Sequence, residues 1–237
     1  MIVSGTSMKN SNFFAGLAAM GLVGLLAAAP ASAAPITLQS STATTGNQIY
    51  SGVAVQFVVN KSISVTSLGL YDSNQDGFLA NIDHALSAVL MTSTGVSLAS
   101  ETFYSASAGA LDGLYRFKSI APLTLGPGQY ILAGYGWSNS DPEFNCNLTG
   151  LTDCSTFNDG GGLLTYVNSP YGGGSDPSGT LPTNVWNPDS NFFSAANMQY
   201  EAASVRAVVP EPLTLSLFGA GLAGIAAARR RTKKAKS

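Results

Sequence analysis

The chain is poor in the residues that most metal and catalytic centres need. It has one histidine, His84, and two cysteines, Cys146 and Cys154, in 237 residues. Two cysteines without a neighbouring histidine do not complete a zinc site, which takes four ligands. A Ser-His-Asp triad would have to use His84, and no G-x-S-x-G elbow accompanies it. Charged residues make up only 10 % of the chain, and few fall at helical spacing, which argues against long solvated helices. Basic residues are scarcest in the middle. Between Ala34 and Val208 only Lys61, Arg116, Lys118 and Arg206 stand against twelve acidic residues, a formal charge of −8, whereas the whole chain carries −2. Phosphate contacts need clustered lysine and arginine, so this body is not a nucleic-acid binder. Its charge suits a soluble protein and could attract cations.

Long apolar runs occur only at the two ends. Lys9 is the sole charge before the run Phe13 to Ala29, and Ala31-Ser32-Ala33 follows as an A-x-A site. This layout is a secretory signal peptide over residues 1–33, a helix in its apolar part, cut between Ala33 and Ala34. Met1 and Met8 both remain open as start sites. Export carries the cysteines to a compartment where disulfides persist. The seven residues between Cys146 and Cys154 allow a small covalent loop. One disulfide is the expectation; free thiols and a partial metal site are the alternatives.

The other end has three parts in fixed order: Val209-Pro210-Glu211-Pro212, an uncharged run from Leu213 to Ala228, and Arg229, Arg230 and Arg231 with Lys233, Lys234 and Lys236 behind them. The prolines keep the chain extended and out of the helix. As a helix the 16-residue run reaches about 24 Å, against a hydrocarbon core of about 30 Å. Snorkelling arginine and lysine close that gap, and their charge holds them on the cytoplasmic side. We therefore expect a single transmembrane helix at 213–228, a linker at 205–212 and a basic cytoplasmic tail at 229–237. Gly219, Gly221 and Gly224 spell G-x-G-x-x-G, but no βαβ unit or downstream acid accompanies them. They read as small residues in a membrane helix.

This tail resembles the PEP-CTERM sorting signal of bacterial exported proteins. The resemblance implies recognition by exosortase, a membrane protease-transpeptidase. It implies a cut near Pro210-Glu211-Pro212, an inner-membrane intermediate, and delivery to the envelope or extracellular matrix. A plain membrane anchor would need no Pro-Glu-Pro core.

Residues 34–204 read as all-β. Short apolar runs rich in Val, Thr, Tyr and Phe alternate with turn clusters. Expected strands cover Val53 to Phe57, Ile63 to Tyr71, Ala88 to Met91, Val96 to Tyr104, Leu114 to Ile120 and Gln129 to Trp137. Tyr115 and Phe117 should face inward, and Arg116 and Lys118 outward. Leu79 to Met91 could carry a helical turn. Residues 138–188 are dominated by Gly, Asn, Asp, Ser and Pro and read as loops around one strand, Leu163 to Val167. Asn191 to Glu201 should return to the sheet. The expected fold is a β-sandwich, jelly-roll-like. Leu68-Gly69-Leu70-Tyr71-Asp72, Asp76-Gly77, His84, Tyr115-Arg116-Phe117 and Pro122-Leu123-Thr124-Leu125 also resemble a β-sandwich domain of unknown function often found on PEP-CTERM proteins. That resemblance assigns no catalytic residues.

Asp72, Asn74, Asp76 and Asp83 lie at positions one, three, five and twelve of a D-x-N-x-D-G loop. Calcium wants six to eight hard oxygens, and this spacing can deliver them to one centre. The shorter Asp83 replaces the usual glutamate, as in dockerin-type loops. Asp-Gly between apolar runs is also the commonest hairpin signal, and the flanks look more like strands than the two helices of an EF-hand, so a plain polar turn stands ahead of calcium. No other cofactor is implied. Tyr135, Trp137, Tyr166, Tyr171 and Trp186 could stack on sugars or belong to the core. The function expected is a structural or adhesive surface protein of the envelope or biofilm matrix, with exopolysaccharide as a partner. A carbohydrate-binding module is the alternative and a secreted glycan hydrolase the third reading.

Overall fold

The structure is a computed structural model and describes residues 34–50, 52–147, 155–172, 181–185, 191–203 and 219–223. Residues Ser32–Ala207 form one compact unit, and the two terminal segments form another. The expected signal helix, the cleavage residue Ala33 and the tail residues Val209 to Pro212 and Arg229 to Arg231 lie outside the described residues. Residues 219–223 are helical. Among the described residues no helix is long and apolar enough to cross a membrane.

The compact unit is mainly antiparallel β-structure. Its strands are Ile36–Thr37 (β1), Gln39–Ser41 (β2), Gly52–Val59 (β3), Ile63–Tyr71 (β4), Leu86–Thr92 (β5), Ser97–Phe103 (β6) and Ala110–Asp112 (β7). Tyr115–Leu125 (β8), Gly128–Tyr135 (β9), Phe144–Asn147 (β10), Ser155–Phe157 (β11), Leu164–Asn168 (β12), Asn191–Ser194 (β13) and Ala196–Ala202 (β14) follow. One five-stranded sheet has the order β1-β14-β4-β8-β7 and the other β12-β3-β9-β5-β6. Two ribbons, β10-β13 and β11-β2, accompany them.

Both sheets feed one core. Val53, Val55, Phe57, Leu86, Leu90 and Leu132 come from the second sheet, and Ile63, Val65, Leu68, Leu70, Tyr115, Phe117, Met198 and Tyr200 from the first. Strand alternation puts every second side chain on that face. The second sheet also buries its other face: Ala54, Val89, Met91, Ile131, Ala133 and Tyr135 form a separate cluster, with Leu181 packed on it. This explains why β5 is buried at every position from Leu86 to Met91 instead of alternating. On β8 the expected alternation holds, with Tyr115 and Phe117 buried and Arg116 and Lys118 half-buried.

Two close approaches fix the packing. A Cβ on Gly69 would stand 2.5 Å from Cδ1 of Phe117, so only glycine lets that ring lie on β4. The register of β4 against β8 shifts between Val65 and Ser67, on the stretch of β8 that contains Pro122. A residue without an amide donor is tolerated at such an irregularity. The helical turn suspected within Leu79 to Met91 is a 3₁₀ turn at Ile82–His84. Asn81 Oδ1 caps it, accepting from the amides of Asp83 at 3.0 Å and His84 at 3.1 Å. Residues 138–188 hold more order than expected, for β10 and β11 join β12 there. Asn191 to Glu201 is broken at Ala195, where the chain changes partner: β13 pairs with β10, and β14 with β4.

Candidate functional site

The D-x-N-x-D-G loop follows directly on β4. Its first residue, Asp72, is buried, and its carboxylate is already engaged. Arg116 Nε donates to Oδ2 at 2.6 Å, and the Gly77 amide reaches both oxygens at 3.2 and 3.1 Å. Arg116 thus points away from the core, as expected, and finds its partner in this loop. Asn74 has a positive φ of 65° and Gln75 one of 60°, uncommon for side chains other than glycine. Asn74 Oδ1 accepts from Thr45 Oγ1 at 3.1 Å, and Gln75 Nε2 donates to the Gly113 carbonyl at 2.8 Å. Asp76 and Asp83 are exposed, and Asp83 belongs to the separate 3₁₀ turn. Among the described residues no group of three or more His, Cys, Asp or Glu side chains is placed to hold a metal ion.

The geometry is that of a polar turn closed around a guanidinium. A cation at this place would compete with Arg116 for Asp72. Melting curves in calcium and in chelator are therefore expected to coincide, and Asp76→Ala should leave both unchanged. A calcium-dependent rise in Tm that Asp76→Ala removes would contradict this, because a ligand held only by the folded state must stabilise it.

A second carboxylate secures the same loop. Asp141 Oδ1 and Oδ2 accept from the amides of Leu79 and Ala80 at 2.8 and 2.9 Å. Burial raises its pKa, those two amides oppose the rise, and the charges of Asp72 and Asp76 add to it.

Glu143, two residues on, is fully buried, and neither carboxylate oxygen has a hydrogen-bond partner among the described residues. Its backbone exchanges hydrogen bonds with Gln48 at 3.1 and 2.9 Å. Directly opposed residues of an antiparallel pair share a face, and Gln48 Oε1 is likewise buried without a partner. Burial pushes the Glu143 carboxyl up to about 8, and the nearby Tyr50 amide, outside hydrogen-bond geometry, offsets only part of the rise. Tyr71, the neighbouring ionisable ring, is itself raised by burial first and then by the charges of Asp72 and Glu143. Nothing in the sequence separates Glu143 from the other scattered acids.

The residues weighed for catalysis do not assemble. His84 is exposed and shares a cavity of about 450 Å³ with Asp83, Thr102, Trp137 and Ser138. Ser138 Oγ accepts from the amides of Ser140 and Asp141, both at 3.2 Å. No hydrogen bond joins it to His84 among the described residues. Four of the aromatic residues considered for sugar stacking lie in or pack against the core. Tyr135 and Trp137 are buried. Tyr166 packs between Phe157 and Phe192, and Tyr171 against Tyr50 and Phe193. Trp186 lies outside the described residues. Cys146 is buried in β10, and no described cysteine is free; Cys154 lies outside the described residues.

Residues 208–231 match the PEP-CTERM protein-sorting motif. The chain therefore carries this motif, from the residue before Val209 through the arginine cluster. It marks a protein sorted by exosortase to the cell surface through a membrane-anchored intermediate. No curated protein matches the chain.

Proposed function

We propose that this is an exosortase-processed matrix protein whose β-sandwich body has a structural or adhesive role in the envelope or biofilm. The observation that carries the reading is the sorting motif at 208–231, placed behind a compact unit that ends at Ala207. On this reading residues 1–33 leave with the signal peptide, residues 213–228 hold the intermediate in the inner membrane, and Arg229, Arg230 and Arg231 stop its translocation. Positive flanks resist export, which supports that role. The body's scarcity of lysine and arginine favours solution or a neutral matrix over nucleic acid.

Fractionation tests the reading. Wild-type protein should be recovered from the extracellular matrix, and deletion of an exosortase gene should hold it in the inner membrane. Wild-type protein confined to the membrane would overturn the proposal.

We further propose that Cys146 pairs with Cys154 in the exported protein. The burial of Cys146 in a strand and the oxidising destination support this. Alkylation of mature protein without reductant should label neither cysteine. Quantitative labelling of both would remove the disulfide.

A further inference from the structure

The two ends of the sandwich differ. The chain enters the first sheet at Ile36, opposite Tyr200, and leaves it at Ala202, opposite Ile63. Only residues 60–62 separate Val59 of β3 from Ile63 of β4, so both sheets share this end. Its connections are short: 60–62, 93–96, 126–127 and 158–163. At the other end Tyr71 opposes Tyr115, and Gly52 and Ser87 both oppose Tyr135. Among the described residues the longest connections, 42–50, 72–85 and 136–143, lie there, with 104–109 and the turn 113–114 beside them. Binding residues gather on loops that a rigid scaffold positions.

These loops hold one another in place. The Asn74 amide donates to the Thr44 carbonyl at 2.6 Å, and the Gly46 amide to Ser73 Oγ at 2.9 Å. Gln75 Nε2 reaches the Gly113 carbonyl at 2.8 Å, and the Ser105 amide the Ala80 carbonyl at 2.9 Å. The Asp141 carboxylate ties 136–143 to the amides of Leu79 and Ala80. A surface fixed before its partner arrives has less freedom to lose on binding. On this frame stand Ile49, Leu79 and Ile82, exposed by 51, 66 and 69 %, with Leu111 at 44 % just before the turn. One exposed leucine is ordinary. Four aliphatic residues on a single cross-linked end present apolar surface that the fold itself does not use.

The charge there has one sign. The loops contain Asp72, Asp76, Asp83, Asp141 and Glu143, and no lysine or arginine. Asp76 and Asp83 are exposed. The nearest cations are occupied: Arg116 by Asp72, and Lys118 Nζ by the Thr102 carbonyl and, at 2.7 Å, Ser107 Oγ. Anionic lipid and anionic polysaccharide would meet like charge, which repels. A second copy docking end to end would set acid against acid in the same way. Stacking on sugar rings needs an exposed aromatic face, and the exposed large apolar residues here are aliphatic.

We propose that this loop end is a docking surface for a cationic protein partner, with Ile49, Leu79, Ile82 and Leu111 making the apolar contacts and Asp76 and Asp83 facing the partner's lysine or arginine. The proposal rests on the adhesive reading above and names the chemistry of what is held. Complementary charge would set orientation and encounter rate, and the aliphatic residues most of the affinity.

The test uses the full chain in neutral nanodiscs, with the signal of empty discs subtracted. Labelled short peptides of leucine and lysine, serine and lysine, or leucine and glutamate are titrated by fluorescence anisotropy. The leucine-lysine peptide should bind about tenfold or more tighter than either other, and more weakly as salt rises. L79S/I82S should weaken it about tenfold without moving Tm, D76N/D83N should flatten the salt dependence, and V96S/L98S, exposed at the opposite end, should change nothing. Equal binding by L79S/I82S, equal loss in V96S/L98S, a tighter leucine-glutamate peptide, or no binding would overturn the proposal. So would dimerisation of the wild type that L79S/I82S abolishes, which would make a second copy the occupant. Matrix recovery of wild type is scored in parallel. If wild type reaches the matrix and L79S/I82S binds unchanged, the docking surface falls and the matrix reading stands. If wild type never reaches the matrix, that reading falls and the titration still decides the surface.

Discussion

Glu143→Gln should abolish most of the pH dependence of stability between about pH 4.5 and 8, and should stabilise the fold at the upper end. The carboxyl titrates near 4.5 when exposed and at about 8 in the fold. Below the lower value both states are protonated, and the buried acid adds no penalty. Between the two values the unfolded chain has released a proton that the folded chain still holds, so stability falls as pH rises. Above about 8 both states are ionised and the loss is complete. At about 1.4 kcal/mol per unit of displacement the loss is on the order of 5 kcal/mol. Glutamine keeps the shape and size and cannot ionise.

Urea unfolding at pH 5 and pH 8 reads this directly. Wild type should lose several kcal/mol between the two, while Glu143→Gln should lose far less. Parallel pH profiles for the two proteins would show that Glu143 is not held neutral. Glu143→Leu guards against a folding defect, since a buried leucine at this site should flatten the same profile.

Replacing Pro210, Glu211 and Pro212 together by alanine should convert the protein from a processed to an unprocessed form. Two prolines within three residues keep the segment extended, and proteases bind extended substrate through main-chain hydrogen bonds. Alanine removes that constraint and is the best helix former, so the apolar helix can grow backward through the site. Full-length chain should then accumulate in the membrane, while the body, a compact unit that ends at Ala207, is expected to keep its melting temperature. Normal release of the triple-alanine protein would mean that the motif is not what the processing enzyme reads.

The long strands were legible because their signal is local. Val53-Val55-Phe57 and Tyr115-Phe117 alternate within a few residues, and on β8 burial follows the alternation. The short strands were not. β11 exists because Ser155–Phe157 pairs with Gln39–Ser41, more than a hundred positions earlier, and a stretch of Ser and Thr announces no such partner. The turn after β4 shows the same limit at the level of chemistry. D-x-N-x-D-G reads as a calcium loop or as a tight turn, and nothing in it announces that Arg116 reaches Asp72. Glu143 gave no signal, since burial of an acid is a property of the fold around it. The sorting motif was legible because its prolines, apolar run and arginines act through composition and order, which need no tertiary partner.

Mass spectrometry of the protein recovered from envelope and culture fluid tests the sorting claim most directly. A chain that begins at Ala34 and ends between Pro210 and Pro212, with or without an added group at the new end, is the predicted result. Mature wild-type protein carrying Leu213 through Ser237 intact would contradict it and leave a plain membrane anchor in its place.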